Sequence, residues 1–326
     1  MWVYVVRRLL YTIPIVLGVL LITFLLFKLI PGDISAELAG KAASPETIAQ
    51  IRAELDWDKP LLLNFQAARQ RGPLAVFESQ FFIHFKKALT FNFGRSIRSK
   101  ESIATMLRTR AGPSLTLMLP MFVIGMVSSL TVALIVAMLR GTAWDYSIVF
   151  ICVLGMSVPY LAFILFGQYY FAYKLQWFPI IGYEPGLGAW RYLALPVLIG
   201  VVAGLGAEVR FYRTVMLDEM NADYVRTAYA KGVATRRVLF VHVLKNAMIP
   251  VLTRVVLAIP FLFLGSLLLE RFFGIPGLGD MTIQAINSRD FPVVSAVTFI
   301  ISILFALGNL ATDLSYALVD PRISLS

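Results

Sequence analysis

Long, almost uncharged runs of apolar residues most constrain how this chain of 326 residues can fold. A helix needs about 20 apolar residues to cross the hydrocarbon core of a bilayer. The runs that approach or exceed this length are about Leu9 to Ile30, Ser114 to Leu139, Ser147 to Tyr170, Tyr192 to Phe211, Ala247 to Leu269 and Pro292 to Ala311. Because the bilayer core offers no water to satisfy backbone polar groups, each run must be helical. The sequence therefore predicts an all-α integral membrane protein with six transmembrane helices.

Prolines and small residues inside these runs predict how the helices are shaped and packed. A proline removes one backbone hydrogen bond and is able to kink its helix. The prolines inside the runs are Pro14, Pro120, Pro159, Pro196 and Pro260. The glycine-rich stretch from Gly200 to Ala207 predicts close approach between two helices rather than a binding loop.

The excess of basic residues predicts an orientation in the membrane. The formal net charge is +10, and in a membrane protein such an excess favours contact with lipid headgroups over nucleic-acid binding. Alternating helices that begin after Arg7 and Arg8 place ten Lys and Arg residues in the short cytoplasmic segments and four in the short outer segments. The positive-inside rule then puts both termini in the cytoplasm and the long segment from Pro31 to Pro113 outside.

Sequence signals of catalysis or of metal binding are absent. The single cysteine, Cys152, lies in an apolar run, and His84 and His242 are far apart in the chain. No Cys/His cluster has the spacing of metal ligands, and no phosphate-binding P-loop is present. The glycine-rich motif GIPGLG, from Gly274 to Gly279, lacks the spacing of a dinucleotide fingerprint. We therefore expect no enzyme and no cofactor bound by this chain, so that any ATP and Mg²⁺ would be held by a partner.

A short helix is predicted within the long outer segment. Ser44 is suited to cap its amino terminus, and Pro45 suits the first helical position. Ile48, Ile51 and Leu55 then share one face. We expect a surface helix that packs on the ends of the transmembrane helices.

A basic segment, DYVRTAYAKGVATRRVLFVHVLKNAMIP, separates the fourth apolar run from the fifth. Asp223 or Asn221 is able to cap a short helix that runs to about Lys231, where the cation suits the negative end of the helix dipole. Gly232 then suits a left-handed residue that ends this helix. A second helix is predicted to begin near Ala234.

This segment has two interpretations that composition alone leaves open. It is either an ordinary basic cytoplasmic loop or a helix–glycine–helix knob on which a partner docks. In the second case the small Ala228 and Ala230 allow another surface to approach closely, while Arg226 and Lys231 supply charge for an acidic partner.

The stretch DYVRTAYAKG, followed by HVLKNAMIP, resembles the cytoplasmic coupling loop of ABC importer permeases of the dipeptide/oligopeptide group. The run from Arg7 to Asp33, the motifs GIPGLG and SRDFPVV, and NLATDLSYALVDPR (Asn309 to Arg322) resemble the first of that group's two permeases. Arg226, Thr227 and Ala228 occupy the place of the family's Glu-Ala-Ala, and the peptide group commonly has Arg at the first position. The likeness is weakest from Phe65 to Phe93, and the family usually reads Gly-Asp-Leu-Gly where this chain has FNFG.

The resemblance implies a type I ABC importer permease of the bacterial cytoplasmic (inner) membrane, which forms half of a pore for di- and oligopeptides. The implied partners are a second, homologous permease in a heterodimer, two cytoplasmic ATPases that hold ATP and Mg²⁺, and an extracytoplasmic peptide-binding protein. Residues 1–113 would form the first helix and a long periplasmic loop, and residues 114–326 a five-helix core with a coupling loop at about 218–246. The alternative is the same architecture importing nickel chelates, oligosaccharides or another small solute.

Two sets of candidate site residues follow. The set implied by the resemblance to couple the chain to the ATPases is Asp223, Tyr224, Arg226, Thr227, Ala228, Ala230, Lys231 and Gly232. The polar residues inside the apolar runs, which are candidates to line the pore, are Gln168, Glu208, Ser266, Thr298, Ser302 and Asn309. For Glu208 the alternative is an ion pair with Arg210 or with a neighbouring helix, and for the hydroxyl residues it is a bond within or between helices. Asp313 falls at the cytoplasmic end of the last run, where its charge reaches water.

Overall fold

A computed structural model describes residues 2–28, 35–40 and 43–319, and the regular structure within these ranges is helical. In chain order the helices are α1 (Trp2–Lys28), α2 (Ser35–Ala39), α3 (Pro45–Glu54), α4 (Phe65–Arg71), α5 (Gln80–Leu89), α6 (Ile103–Met138), α7 (Ala143–Ser157), α8 (Tyr160–Gly167), α9 (Ala189–Met220), α10 (Asp223–Ala230), α11 (Thr235–Arg237), α12 (Leu244–Leu264), α13 (Leu267–Phe273), α14 (Leu278–Asn287) and α15 (Phe291–Val319). Single 3₁₀ turns lie at Pro73–Phe77 and Gly186–Gly188, and π-helical turns at Gln168–Lys174 and Val238–Val243. The end of the first predicted span, at Leu29 and Ile30, and the carboxyl-terminal motif at Arg322 lie outside the described residues, as does the side chain of Asp313.

The prediction of an all-α membrane protein is confirmed. Within the described ranges, four helical stretches are long and apolar enough to span a bilayer, and these are Ile103–Met138, Ala189–Met220, Thr235–Phe273 and Phe291–Thr312. The pair Ala143–Ser157 and Tyr160–Lys174 makes a fifth if it counts as one broken span. The first helix contributes a shorter apolar stretch, Leu10–Leu26.

The third predicted span, from Ser147 to Tyr170, is wrong as a continuous helix. It is broken between α7 and α8 with a bend of 91°. Pro159 stands at the break, and Val158 before it is extended (φ −85°, ψ 126°) because a residue preceding proline is disfavoured in the helical region. The prolines at 14, 120, 196 and 260 lie inside helices that continue through them.

Close packing of α6 and α7 against α9 depends on the glycine-rich stretch, as predicted. A Cβ atom at Gly206 would lie 2.6 Å from the carbonyl oxygen of Cys152 on α7. A Cβ atom at Gly200 would lie 2.1 Å from the sulfur of Met121 on α6. Only glycine permits these approaches without displacing a neighbour, so the stretch serves helix packing.

A buried ion pair fixes α7 to α9 near their shared end. Arg213 donates from Nε to one oxygen of Asp145 at 2.9 Å and from Nη2 to the other at 2.8 Å. The backbone N–H of Gly141 donates to the same carboxylate at 3.0 Å. The bidentate geometry satisfies the buried carboxylate and sets the register of the two helices.

The segment between α1 and α6 is folded into short helices, and α3 begins as predicted. Ser44 caps α3 by accepting a hydrogen bond from the N–H of Thr47 at 3.3 Å, with Pro45 at the first helical position. Asp56, just beyond this helix, accepts from Lys59 at 2.6 Å and from Lys87 of α5 at 3.0 Å. Burial raises the pKa of Asp56, but the two ammonium groups more than offset it and hold that pKa below its ordinary value. The carboxylate therefore stays ionised and ties α3 to α5.

The loop before α6 is anchored to the turn before α15. The buried carboxylate of Asp290 accepts from the hydroxyl of Ser96 and from the N–H groups of Ile97 (3.1 Å) and Arg98 (3.4 Å). The guanidinium of Arg98 donates to the carbonyl of Ser288 at 2.7 Å. Arg98 and the SRDFPVV motif therefore have a structural role, since both hold this loop in place.

A fully buried carboxylate organises the chain between α12 and α14. Glu270 accepts a hydrogen bond from the hydroxyl of Ser114 on α6 at 2.7 Å and from the N–H of Asp280 at 2.9 Å. The same Ser114 oxygen accepts from the N–H of Leu278 at 2.7 Å. A Cβ atom at Gly277 would lie 2.4 Å from the Glu270 carboxylate, and one at Gly265 2.0 Å. Gly265, together with Gly277 and Gly279 of GIPGLG, therefore leaves room for this carboxylate.

We predict that Glu270→Gln lowers the stability of the detergent-solubilised protein. The substitution replaces one acceptor oxygen with an N–H₂ group that faces donors, at a cost of about 1–3 kcal/mol. The apparent melting temperature should fall, whereas the matched change at the exposed Glu184, Glu184→Gln, should leave it unchanged. Equal melting of the two variants would contradict the role of this carboxylate.

Candidate functional site

Helix α10 begins one residue away from the predicted caps. Its N-cap is Ala222, so the prediction of Asp223 or Asn221 is wrong. Asn221 is used instead to end α9, where its side-chain oxygen accepts a hydrogen bond from Arg140 at 3.2 Å. Asp223 is the first helical residue, and its carboxylate lies favourably at the positive end of the helix dipole.

The end of α10 confirms the predicted role of Gly232. This residue has φ +74°, and its N–H donates to the carbonyl of Tyr229 at 2.9 Å. The N–H of the next residue, Val233, donates to the carbonyl of Ala228 at 3.2 Å. These two bonds form a Schellman motif, which stops the helix and reverses the chain.

The inner face of α10 is packed against the ends of the long helices. Val225 is fully buried and Ala228 nearly so. Their hydrophobic cluster contains residues of α6, α9, the π-helical turn and α12, among them Ala133, Ala137, Tyr212, Met216, Val238, Leu239, Val243 and Ala247. The expectation that Ala228 lets a partner approach is therefore corrected, because this side chain packs within its own chain. We define the docked helix, residues 223–232, as the knob.

The outer face of the knob is polar and accessible. The side chains of Asp223 and Arg226 are 96% and 74% exposed, and their carboxylate and guanidinium lie 3.5 Å apart. An exposed pair of this kind contributes little stability and is easily exchanged for a partner's groups. Tyr224 is also exposed, and its hydroxyl donates to Glu219. The other predicted coupling residues on the accessible surface are Thr227, Ala230, Lys231 and Gly232.

The chain returns to the membrane in one helical stretch, as predicted. Ala234 is the N-cap of α11, which continues through the π-helical turn Val238–Val243 into α12. Val238, Leu239 and Val243 of this turn pack beneath the knob. A turn at residues 231–234 therefore joins the knob to a stretch of helix that continues from Thr235 into α12.

Four of the six predicted pore residues bond their polar groups to the backbone of this chain. Gln168 donates from its side-chain nitrogen to the carbonyls of Phe272 (2.9 Å) and Ile180 (3.2 Å). Ser266 caps α13 by accepting from the N–H of Leu269. Thr298 and Ser302 donate to carbonyls of their own helix at 2.8 and 2.7 Å, which is the alternative considered for hydroxyl residues.

The remaining two pore candidates differ from these. Glu208 of α9 pairs with Arg254 of α12, with 3.6 Å between the nearest nitrogen and oxygen, rather than with Arg210. Asn309 of α15 is exposed. The sequence analysis missed Arg254, although a basic residue inside the fifth apolar run is a signal that could have found it.

Comparison with known proteins assigns the family. Residues 129–325 match the family described as binding-protein-dependent transport system inner membrane component, and residues 1–119 match the amino-terminal family of such membrane components. The chain therefore belongs to the binding-protein-dependent transport family of inner membrane components. This confirms the resemblance found in the motifs and the expected location in a bacterial inner membrane.

Relatives of nearly equal length agree with this assignment. The chain is 33% identical over 323 residues to a putative peptide transport system permease protein of Brucella suis, covering 98% of each chain. It is 33% identical over 328 residues to a probable peptide ABC transporter permease protein of Sinorhizobium fredii, covering 99% of each. It is also 33% identical over 320 residues to the glutathione transport system permease protein GsiC of Shigella flexneri, covering 98% of each.

We predict that Gly232→Ala loosens the knob. An L-residue in the left-handed region costs roughly 1–2 kcal/mol, and a Cβ atom here meets nothing within 4 Å, so the effect is one of backbone strain alone. Backbone amides of residues 223–233 should exchange with solvent faster than in the unchanged protein. Gly141→Ala is the matched control, since Gly141 also has a positive φ (+78°) and open space around it. Unchanged exchange at the knob in Gly232→Ala would contradict the assigned geometry.

Proposed function

We propose that this chain is the permease subunit of an ATP-driven importer of peptides, and that the knob couples it to cytoplasmic ATPases. The full-length similarity to peptide permeases carries the first statement. Glutathione is itself a peptide, so the relatives' names favour peptides over nickel chelates or oligosaccharides. The packing of the knob, with one face buried and the other free, supports the second statement.

In this proposal the chain crosses the membrane six times, with α7 and α8 acting as one broken span and both termini in the cytoplasm. Residues 1–113 supply the first span and a folded periplasmic segment, and residues 114–326 supply the core of five spans with the coupling segment at 218–246. A second, homologous permease completes the pore as a heterodimer. Two ATPases bind ATP and Mg²⁺, and a binding protein delivers the peptide from outside, so this subunit itself catalyses nothing.

In the proposed mechanism the knob is a rigid element that transmits motion from the ATPases to the spans. When the ATPases approach each other, the surface that grips the exposed face of α10 moves. Because Val225 and Ala228 are buried against α6, α9 and the π-helical turn, that motion passes to the spans as a rigid-body displacement. Burial of a valine side chain stabilises the docked state by about 1.5–3 kcal/mol, which keeps the knob from sliding on its support.

We predict that Arg226→Glu uncouples ATP hydrolysis from uptake. Reversal of an exposed charge leaves the packing of α10 intact but removes a charge-assisted contact to the ATPase. Such a contact is worth about 1.5–3 kcal/mol, or about ten- to a hundredfold in a coupled equilibrium. The measurement is peptide uptake per ATP hydrolysed in vesicles that hold the complete transporter, where Arg226→Glu should lower the ratio about tenfold or more.

The control for this experiment is Arg191→Glu, which makes the same charge change at an exposed arginine at the other end of α9. It should transport as the unchanged protein does. If Arg226→Glu keeps a normal ratio of uptake to hydrolysis, the knob is not the coupling element.

A further inference from the structure

The ion pair between Glu208 and Arg254 is loosely made. Its closest atoms, Arg254 Nη2 and Glu208 Oε1, are 3.6 Å apart, which is longer than a hydrogen bond. The side chains are 36% and 45% exposed on the surface of this chain. At this distance the two charges neutralise each other but no hydrogen bond fixes their orientation. The pair of Arg213 with Asp145 differs, because two hydrogen bonds fix it.

Both members of the pair lie far from the ends of their helices. Arg254 is ten residues from either end of α12, or about 15 Å along the axis. Glu208 lies inside the fourth apolar run, three residues before its end at Phe211. An exposed charge inside an apolar span is too costly to face lipid, so the surface that bears Arg254 faces a water-filled pathway or another subunit.

The guanidinium of Arg254 keeps most of its donors available. Its five N–H groups are arranged to grip a carboxylate from two sides. Within the described residues it has the long contact to Glu208, lies near Tyr212, and lies over the ring of Phe211 at 4.4 Å from the ring centroid. The ring stabilises the planar cation by a cation–π interaction, and the N–H donors at the edge of the guanidinium stay available.

A second exposed polar group lies at a similar depth. A Cβ atom at Gly308 on α15 would lie 3.6 Å from the carbonyl oxygen of Val256, two residues after Arg254. The next residue, Asn309, exposes its side chain. The amide of Asn309 therefore adds hydrogen-bonding capacity to the same level of the bundle.

We propose that Arg254 binds the C-terminal carboxylate of the transported peptide, with Glu208 as the counter-ion that the substrate displaces. This inference rests on the proposed function as a peptide importer. A peptide carboxylate is chemically the same ligand as the Glu208 side chain, so it exchanges for that side chain on the guanidinium without leaving the cation unpaired. Since every unmodified peptide ends in this group, Arg254 recognises peptides without regard to their side chains.

The test compares a free-acid peptide with its C-terminal amide. Trialanine and trialanine amide, both first shown by titration to bind the binding protein, are offered to vesicles that hold the complete transporter. In Arg254→Gln, uptake of the free acid should fall roughly tenfold, the scale of one charge-assisted contact, while uptake of the amide stays the same. Arg254→Lys, which keeps the charge but not the fork, should retain part of the preference.

The matched control is Arg210→Gln, the same change at an exposed arginine of α9 that should leave the preference unaltered. An equal fall of both uptakes in Arg254→Gln, or no change in either, would overturn the assignment and indicate a structural or subunit contact. If the unchanged transporter takes up neither peptide, the proposed function fails. That result is distinct from a variant that takes up both peptides but no longer prefers the free acid to the amide.

Discussion

The packing of Val225 and Ala228 beneath α10 is the contact on which the rest of this architecture depends. It joins the short helix α10 to the ends of α6 and α9 and to the π-helical turn that leads into α12. Without it, the exposed charges of α10 would stand on a loose loop that absorbs any applied motion. With it, a partner that binds α10 and moves it also moves the spans. The proposed coupling to a separate ATPase requires this transmission of motion.

At the opposite end of the bundle, buried carboxylates act together with the apolar packing of α6, α14 and α15. Glu270 joins α6 to the chain between α13 and α14, and Asp290 joins the loop before α6 to the start of α15. Each accepts several donors, so each fixes backbone groups that lack helical partners. The Glu208–Arg254 pair between these two ends is long and half-exposed. The chain thus combines firm ends with an adaptable charged pair in the middle, an arrangement suited to a pathway for substrate.

Features that depend on neighbouring residues were predicted from the sequence better than contacts between distant residues. The Ser44 cap and the left-handed Gly232 depend on neighbouring residues, and both are found as expected. The inward orientation of Ala228 depends on how α10 is rotated against distant helices, which its own spacing did not reveal. The partner of Glu208 lies 46 positions along the chain, and Ser114 is 156 positions from Glu270, so neither contact was accessible to local pattern. The break at Pro159 required knowing whether the surrounding helices permit a bend of 91°.

The most direct measurement of the central claim is the distance between spin labels on the knob and on α6 in the working transporter. Labels at Tyr229→Cys and Met138→Cys both sit on exposed positions outside the predicted coupling set, and the native Cys152 is buried. A knob that moves as one body with its support gives a single narrow distance that is the same without nucleotide and with ATP bound. A broad distribution, or a distance that changes with nucleotide, would show that α10 moves independently of the spans and would contradict the account.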